Sequence, residues 1–336
     1  MTGSSPDLLR ALLRSVSRSF YLTLRVLPAR LREPIGLAYL LARTSDTLAD
    51  TVLLPAERRL AALAELRGRV LNQHSRSLGY QAFLPEQACG PERELLERVE
   101  ESLALLERQP PADRDAIQAV LEIIIGGQEL DLRRFEQAGA GQVIALETDA
   151  ELDDYTWRVA GCVGQFWTRL CRRHVFPEAP LDDQVLEGEG IRFGKGLQLI
   201  NILRDLSVDL QQGRCYLPGD RLRAADLRPE ALLDPAMKPR ARAVIDPWLS
   251  LAGEHLAAGW DYTNRLPRSQ VRLRLACAWP ILIGARTLAR LRTARLLDPG
   301  QRVKIPRAEV RRVVVGSVLR LGSHRAWRRQ FAAARG

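Results

Sequence analysis

Residues 198–209 read Gln-Leu-Ile-Asn-Ile-Leu-Arg-Asp-Leu-Ser-Val-Asp, and this spacing predicts an α-helix. Four polar side chains in the stretch step by three, four and four positions: Gln198, Asn201, Asp205 and Asp209. Steps of three and four place side chains on one helix face. The surrounding residues are apolar, and a core-facing stripe should be apolar as well. A polar stripe on such a helix therefore indicates an internal, water-lined cavity.

A second stripe of the same kind occurs near the N-terminus. Its members step by four, three and four: Tyr39, Arg43, Asp46 and Asp50. Two carboxylates four residues apart on a helix repel each other, and a hard divalent cation offsets that repulsion. One such pair alone would be typical of a solvated helix face. Two pairs, each aligned with polar partners on an apolar helix, favour two Mg²⁺-binding faces, for which Mn²⁺ is an alternative.

The rest of the chain predicts an all-α protein. Leu, Ala, Arg and Glu dominate the composition, and strand-like alternation is scarce. A first helix is expected from Ser5, with Pro28 and Pro34 as breaks after it. Further helices are expected at 35–50, 56–71, 92–108, 113–138, 153–174, 183–212, 240–266 and 272–296, with Asp153 and Asp154 starting or capping theirs. About ten helices in a single-domain bundle around a central cavity is the simplest architecture.

Composition excludes several classes of protein. The 5 cysteines are odd in number and form no Cys-x-x-Cys pair, which argues against a disulfide framework or a zinc site and fits a reducing compartment. The longest strongly apolar run, residues 276–285, is too short to span a membrane. The first residues do not read as a signal peptide, because arginines interrupt each apolar run. A cytoplasmic protein is expected.

Positive charge is concentrated at the C-terminal end. The formal net charge is +10, and residues 301–336 hold ten Arg or Lys but a single acid, Glu309. Such a segment suggests an anionic partner. Nucleic acid is not expected, since neither a basic platform with interleaved aromatic residues nor a nucleic-acid reading motif accompanies these cations. An apolar face from Val310 to Leu321 could lie peripherally on an anionic membrane or pack on the protein, and packing is favoured.

The two acidic stripes also belong to longer motifs. Residues 198–218 continue through Gly213-Arg214-Cys-Tyr-Leu-Pro, and residues 39–50 read Tyr-Leu-Leu-Ala-Arg-Thr-Ser-Asp-Thr-Leu-Ala-Asp. Ser17-Arg18-Ser19-Phe20, residues 155–164 (Tyr-Thr-Trp-Arg-Val-Ala-Gly-Cys-Val-Gly) and the weaker Gly-Gln-Glu-Leu-Asp-Leu at 127–132 accompany them. Over residues 14–310 this sequence resembles the squalene/phytoene synthase family.

The resemblance implies an all-α isoprenoid-synthase fold in which two acidic helices face a central cavity. It implies head-to-head joining of two prenyl diphosphates, with Mg²⁺ held by Asp46, Asp50, Asp205 and Asp209 and with Asn201 as a further ligand. Tyr155 is the candidate for proton removal during cyclopropane formation, with a core tyrosine as its alternative. Substrate contacts are expected from Ser17, Arg18, Phe20, Tyr39, Arg43, Gln198, Asn201, Arg204 and Arg214. Cations of this kind suit the pyrophosphate that leaves.

Within the family, two features favour a squalene synthase, a farnesyl-diphosphate farnesyltransferase that adds an NADPH-dependent reduction. The Asp-Thr-Leu-Ala-Asp form of the first motif resembles the squalene type. The Val-Lys-Ile-Pro-Arg segment at 303–307 resembles the segment linked to NADPH, which implies contacts from Lys304 and Arg307. One departure is Val208, where many relatives have an acid before Asp209. Phytoene, dehydrosqualene or presqualene diphosphate synthesis without the reductive step is the alternative.

Two further expectations concern organisation. Residues 1–300 are expected to form the catalytic domain and residues 301–336 a helical basic segment on or near it. A non-enzymatic helical partner protein derived from the family is a weaker alternative, because both Asp pairs are retained. Prenyl chain length and oligomeric state do not follow from the sequence. The enzyme hypothesis depends on the acidic stripes facing a shared apolar pocket rather than bulk solvent.

Overall fold

A computed structural model describes residues 12–16, 20–51, 53–80, 83–84, 90–139 and 141–335. Residues 12–16 are helical, and fourteen further α-helices occur in the described part of the chain. They are α1 Phe20–Val26, α2 Ala29–Asp50, α3 Ala56–Val70, α4 Gly90–Glu97, α5 Val99–Glu107, α6 Pro111–Arg134, α7 Asp149–Thr156, α8 Cys162–His174, α9 Asp183–Gln211, α10 Gly219–Ala224, α11 Lys238–Arg265, α12 Val271–Leu291, α13 Arg307–Leu319 and α14 His324–Arg335. The all-α prediction is therefore confirmed.

Sheet structure in the described residues is minimal. Strand β1 (Ile144–Ala145) pairs in parallel with β2 (Arg214–Cys215), and Ile144 lies opposite Arg214. Gly213 precedes β2 with a φ of 80°, and a Cβ atom there would lie 2.4 Å from the backbone nitrogen of Gly139. Only glycine tolerates both the conformation and this contact. Pairing with β1 therefore holds residues 214–215, which follow α9, in place.

The chain divides into two compact units. The N-terminal unit comprises Met1–Arg133 and Phe166–Glu178, and the C-terminal unit comprises Arg134–Gln165 and Ala179–Gly336. In the N-terminal unit α2 packs on α3, α4 and α5. In the C-terminal unit α9 runs along α11, and α12 packs on α11, α13 and α14. The domain boundary at residue 300 stays a prediction.

Several helix boundaries differ from those expected. Pro34 does not end a helix: it is buried inside α2, which begins six residues earlier than predicted, after Pro28. The predicted helix 92–108 is interrupted at Arg98, giving α4 and α5. The start expected at Asp153 is wrong, because Thr148 caps α7 with its hydroxyl, which accepts from the backbone N–H of Glu151. The helix start at Ser5 lies outside the described residues.

A π-helical turn, Trp157–Gly161, joins α7 to α8, which the sequence did not predict. Glycines permit close packing around it. A Cβ atom on Gly164 would lie 1.9 Å from the carbonyl oxygen of Gly190, and one on Gly194 would lie 2.2 Å from that of Ala160. The backbones of this turn and of α9 therefore approach closely. The glycines of the 155–164 motif therefore serve as close-packing positions between helices.

The last two helices pack on the C-terminal unit through aromatic residues. Trp327 of α14 is 1% exposed and stacks on Trp260 of α11, with ring centroids 5.4 Å apart. Its indole N–H donates to the side-chain oxygen of Asn264 at 3.1 Å. The Arg274 guanidinium lies 4.8 Å from the Trp327 ring centroid. Burying an aromatic ring of this size contributes about 2–3 kcal/mol, so α14 is anchored by one face.

Candidate active site

The first acidic motif lies on α2 in the N-terminal unit. The Asp46 carboxylate accepts a hydrogen bond from the side-chain amide of Gln128, a residue of α6. The amide oxygen of Gln128 is buried and has no hydrogen-bond partner. Asp50 occupies the last position of the helix and is exposed. The structure thus adds a neutral amide to the predicted pair of carboxylates.

Asp46 is an unusual carboxyl group. Its side chain keeps 47% of its accessible surface, yet protein atoms surround it closely. This burial, followed by the negative charge of Asp50, raises the pKa of Asp46 to about 7. The charge of Arg43 and the hydrogen bond from Gln128 act in the opposite direction but are weaker. An ionised Asp46 therefore lacks enough positive charge around it.

Arg43 and Tyr39 share this helix face. Arg43 donates to the Glu92 carboxylate at 3.0 Å and lies 3.9 Å from the Asp46 carboxylate. The Tyr39 hydroxyl donates to the backbone carbonyl of Val16 at 3.5 Å, and burial raises its pKa. Asp46 therefore shares its guanidinium with Glu92, which leaves more of its negative charge unbalanced.

The donor set of this face fits a hard divalent cation. Mg²⁺ prefers carboxylate and amide oxygens and keeps several waters. Asp46, Asp50 and the unpartnered amide oxygen of Gln128 are such donors. Among the described residues, no three His, Cys, Asp or Glu side chains form a metal cluster by themselves.

The second acidic motif lies on α9 in the C-terminal unit, where Asp205 is surrounded by cations. Arg204 donates to both Asp205 oxygens, at 3.1 and 2.6 Å, and Arg302 approaches the carboxylate at 3.4 Å. The Asn201 amide donates to the Gln198 side-chain oxygen at 3.4 Å. Asp209 is half-buried on the same helix. The four residues predicted on one face therefore do share it.

Tyr155 is linked to the end of the second motif through stacked rings. Its ring stacks on Tyr216 at a centroid distance of 4.7 Å, and Tyr216 meets Phe135 edge-on at 5.2 Å. The Arg214 guanidinium lies 5.9 Å from the Phe135 centroid. Within the C-terminal unit, Tyr155 and Arg214 are thus connected through the rings of Tyr216 and Phe135.

The two residues predicted to contact NADPH, Lys304 and Arg307, belong to the C-terminal unit. The side chains of Lys304 and Arg307 are exposed, and the Lys304 carbonyl accepts from Arg290 of α12 at 2.7 Å. Arg302, two residues before Lys304, reaches Asp205. This segment therefore runs beside the second acidic motif. The predicted contacts of Lys304 and Arg307 stay a prediction.

Three predicted substrate contacts cannot be placed. Ser17 and Arg18 lie outside the described residues, and only the backbone of Phe20, the first residue of α1, is described. Sequence reasoning also missed three partners that the structure reveals. These are Glu92, Gln128 and Arg302. Gln128 lies in the weaker motif at 127–132, which was a usable signal, whereas nothing in the sequence marked the other two.

Comparison with known proteins agrees with these motifs. A family model described as squalene/phytoene synthase matches residues 13–309. A presqualene diphosphate synthase of Rhodopseudomonas palustris is 30% identical, covering 77% of this chain and 78% of its own. A bifunctional lycopene cyclase/phytoene synthase of Gibberella fujikuroi is 30% identical over 76% of this chain. This chain spans 43% of the length of that fungal protein.

Solved structures show the same fold. A structure described as TcSQS with the ligand E5700 superposes with a TM-score of 0.76 at 21% identity, covering 98% of this chain and 99% of the other. A squalene synthase from Alicyclobacillus acidocaldarius gives a TM-score of 0.61 at 20% identity over 86% of this chain and 93% of its own. With the family model matched over nearly the whole length, the chain belongs to the squalene/phytoene synthase family.

Proposed function

We propose that this protein is a prenyl transferase that joins two farnesyl diphosphates head to head, forms presqualene diphosphate and reduces it to squalene with NADPH. The observation that carries the proposal is the Asp46 environment. A carboxylate beside a like charge, with its pKa raised to about 7 and an unpartnered amide oxygen nearby, suits a divalent cation. Family membership supports the use of such a metal for binding prenyl diphosphates.

Each acidic helix has a proposed role in binding. Asp46 and Asp50 would hold Mg²⁺ on α2, and Asp205, Asp209 and Asn201 would hold it on α9. Bound Mg²⁺ neutralises diphosphate charge and so makes the allylic C–O bond easier to ionise. Arg43, Arg204 and Arg214 orient the departing pyrophosphate through charge-assisted hydrogen bonds. Tyr39 and Gln198, and Ser17, Arg18 and Phe20 from the N-terminal motif, complete the proposed substrate contacts.

Tyr155 is proposed to remove the proton that closes the cyclopropane ring. Its ring is half-buried and held by the stack on Tyr216, which fixes the direction of the hydroxyl. A phenol is a weak base, so it would act with the pyrophosphate as the final proton acceptor. Apolar walls must keep water from the carbocation.

The reductive step is supported by the position of the segment that contains Lys304. Arg302 contacts Asp205, and Arg290 donates to the Lys304 carbonyl, so the segment that leads to the exposed Lys304 and Arg307 begins beside the second acidic motif. We propose that these two cations bind the 2′-phosphate of NADPH. NADPH, when bound, supplies the hydride that ends the reaction.

A second candidate is a presqualene diphosphate or phytoene synthase without the reduction. The relatives at 30% identity favour it, because they are named for those two products. Under this alternative Lys304 and Arg307 have no nucleotide to bind. The two proposals share the condensation and differ in the final step.

One assay separates the candidates. Purified protein is incubated with Mg²⁺ and with farnesyl or geranylgeranyl diphosphate, with and without NADPH, and products are identified by mass spectrometry. Squalene that requires NADPH supports the first proposal. Presqualene diphosphate in both conditions, or phytoene from the longer substrate, supports the second. Squalene formed without a reductant contradicts the NADPH assignment, and the absence of any condensation product contradicts both.

The protein is proposed to work in the cytoplasm with peripheral contact to a membrane. In the described residues the cysteines Cys162, Cys171, Cys215 and Cys277 are buried and free, as suits a reducing compartment. None of the helices described is both long and apolar enough to cross a bilayer. The proposed substrates carry long apolar chains, which concentrate in membranes.

A further inference from the structure

An arginine-lined cleft lies in the C-terminal unit, between α12, α13 and α14. Its volume is about 510 Å³. The described residues that line it include five arginines and no Asp or Glu: Arg286, Arg312, Arg320, Arg325 and Arg329. Like-charged guanidiniums gathered in one cleft raise its affinity for an anion. None of the predicted active-site residues lines it.

One of the five cleft arginines, Arg286, has a carboxylate partner in Glu309. Glu309, the one acid of residues 301–336, is 8% exposed and is held by Arg286 at 2.9 Å and Arg290 at 2.5 Å. Residues 301–336 therefore contain no further carboxylate side chain that could balance the positive charge of the other cleft arginines. The Nε atom of Arg286 is buried and has no hydrogen-bond partner. An unsatisfied buried donor in a cationic cleft is suited to an anionic acceptor.

An apolar patch lies beside the cleft on α13. Val315, Val318 and Leu319 are 57%, 46% and 78% exposed, and their spacing places them on one helix face. Arg312 of this helix and Arg320, the residue that follows it, line the cleft. Apolar residues beside several cations favour the interface of an anionic bilayer, where the former enter the acyl boundary and the latter meet phosphates.

We propose that this cleft and patch bind the phosphate headgroup and the adjoining acyl region of an anionic phospholipid, which docks the protein on a membrane. The cleft lining includes no aromatic side chain, so it lacks the stacking surface that single-stranded nucleic acids use. The proposal goes beyond the condensation reaction, and its failure would leave that reaction untouched. The helix packs on α12, as expected, and Val313 on its inner side is buried, so the patch is the outer face of a packed helix.

The test is co-sedimentation of the full-length protein with vesicles of phosphatidylcholine alone or mixed with phosphatidylglycerol. We expect binding to the mixed vesicles only. Each arginine near an anionic surface contributes roughly fivefold in affinity, so Arg312→Gln/Arg325→Gln/Arg329→Gln should weaken binding about 100-fold. A matched control removes the same charge from exposed arginines elsewhere, Arg76→Gln/Arg108→Gln/Arg228→Gln, and should change binding much less.

A second variant separates a lipid from a free phosphate. Val315→Ser/Leu319→Ser should reduce vesicle binding, whereas Val185→Ser/Leu233→Ser, which makes two other exposed apolar residues polar, should not. Glycerol 3-phosphate is added as a competitor. If it displaces the protein from vesicles and the patch variant binds like the wild type, the site recognises a soluble phosphate and the lipid assignment is wrong.

Further outcomes would overturn the proposal. The first is that the triple arginine variant binds vesicles as well as the wild type does. The second is that the wild type binds a nucleic acid or NADPH more tightly than vesicles and that the triple arginine variant loses this binding. Condensation activity is measured on all variants with detergent-dispersed farnesyl diphosphate, where we expect wild-type rates. If the wild type itself shows no condensation activity, the proposed function fails but the lipid-binding proposal does not, because vesicle binding is measured without substrate.

Discussion

The two acidic motifs have the same spacing but opposite electrostatic surroundings. On α2, Asp46 has a like-charged neighbour in Asp50, and Arg43 is shared with Glu92. On α9, Asp205 is within reach of two guanidiniums, those of Arg204 and Arg302. Identical helical spacing therefore does not give identical sites, because partners from other helices decide the charge balance.

The difference suggests a division of work. A carboxylate with little positive charge around it is stabilised most by a bound cation. A carboxylate that is already paired with arginines instead holds those arginines where a substrate phosphate could bind them. Guanidiniums bind phosphate oxygens as readily as carboxylate oxygens. If a diphosphate binds at this motif as proposed, Arg204 and Arg302 could exchange the Asp205 oxygens for phosphate oxygens, and a metal ion would then replace them at Asp205. The first motif would thus depend more on the metal and the second would contribute more to substrate affinity.

The largest expected effect comes from removing a carboxylate. Asp46→Asn and Asp205→Asn should each lower kcat for condensation by about 100- to 1000-fold, because each removes a charge proposed to hold the metal. Asp115→Asn, at an exposed position of α6, is the matched control and should retain normal turnover. Circular dichroism verifies folding. Wild-type rates in either site variant would exclude the metal role of that motif.

A smaller effect is expected at Arg302. Arg302→Gln should raise the KM for farnesyl diphosphate about 3- to 10-fold with little change in kcat, because the side chain is 56% exposed and makes one charge-assisted contact. Steady-state kinetics measure both parameters. Arg228→Gln removes an exposed arginine elsewhere and serves as control. A fall in kcat at constant KM would show that Arg302 acts in the chemical step, which would contradict the expectation that the second motif contributes mainly to substrate affinity.

The Asp46 environment also predicts a gain in stability on mutation. The folded pKa of about 7 lies above the ordinary value of 3.8, so the folded state holds the proton more tightly and wild-type stability falls as pH rises from 4 to 7. Asp46→Asn removes this cost. In EDTA at pH 8 it should raise the free energy of unfolding by about 1 kcal/mol, a value reduced by solvent screening at a half-accessible side chain.

Urea denaturation at several pH values tests this expectation. The difference in the free energy of unfolding between Asp46→Asn and the wild type should shrink as pH falls and disappear well below pH 3.8, where Asp46 is protonated in both the folded and the unfolded state. Asp205→Asn, whose carboxylate has two arginine partners, should lose stability at pH 8. Equal behaviour of the two variants would remove the electrostatic contrast between the motifs.

The sequence predicted the helices and the shared faces because both follow from local spacing. Apolar positions at steps of three and four indicate a helix, and the same steps align Asp46 with Asp50 and Asp205 with Asp209. It could not predict the partners Gln128, Glu92 and Arg302, since each lies 49 or more residues away along the chain. Such contacts depend on tertiary packing, which spacing does not encode.

Local rules also failed at particular residues. Pro34 was expected to break a helix, but tertiary burial keeps it within α2 despite the lost backbone hydrogen bond. The π-turn at Trp157–Gly161 adds one residue per turn and has no simple signature in residue spacing. It begins two residues after the motif tyrosine, Tyr155, and π-turns frequently occur at functional sites. The failures therefore concentrate where packing or function overrides local preference.

The smallest predicted effect lies outside both motifs and has the opposite sign to that of Asp46. Burial, then the charges of Arg192 and Lys195, lowers the pKa of His255 to about 4 from 6.5. Between these values the unfolded state binds more protons, so this histidine makes stability fall as pH drops from 6.5 to 4. His255→Gln keeps an acceptor for Arg192, whose Nε donates to Nδ1 at 3.3 Å, and should flatten that dependence by under about 1 kcal/mol.

Urea melts of the double variant Asp46→Asn/His255→Gln should then show a flatter profile of unfolding free energy from pH 4 to 8 than either single variant. A double-variant profile as steep as that of either single variant would mean that other groups dominate the titration and that Asp46 is not the source of the contrast.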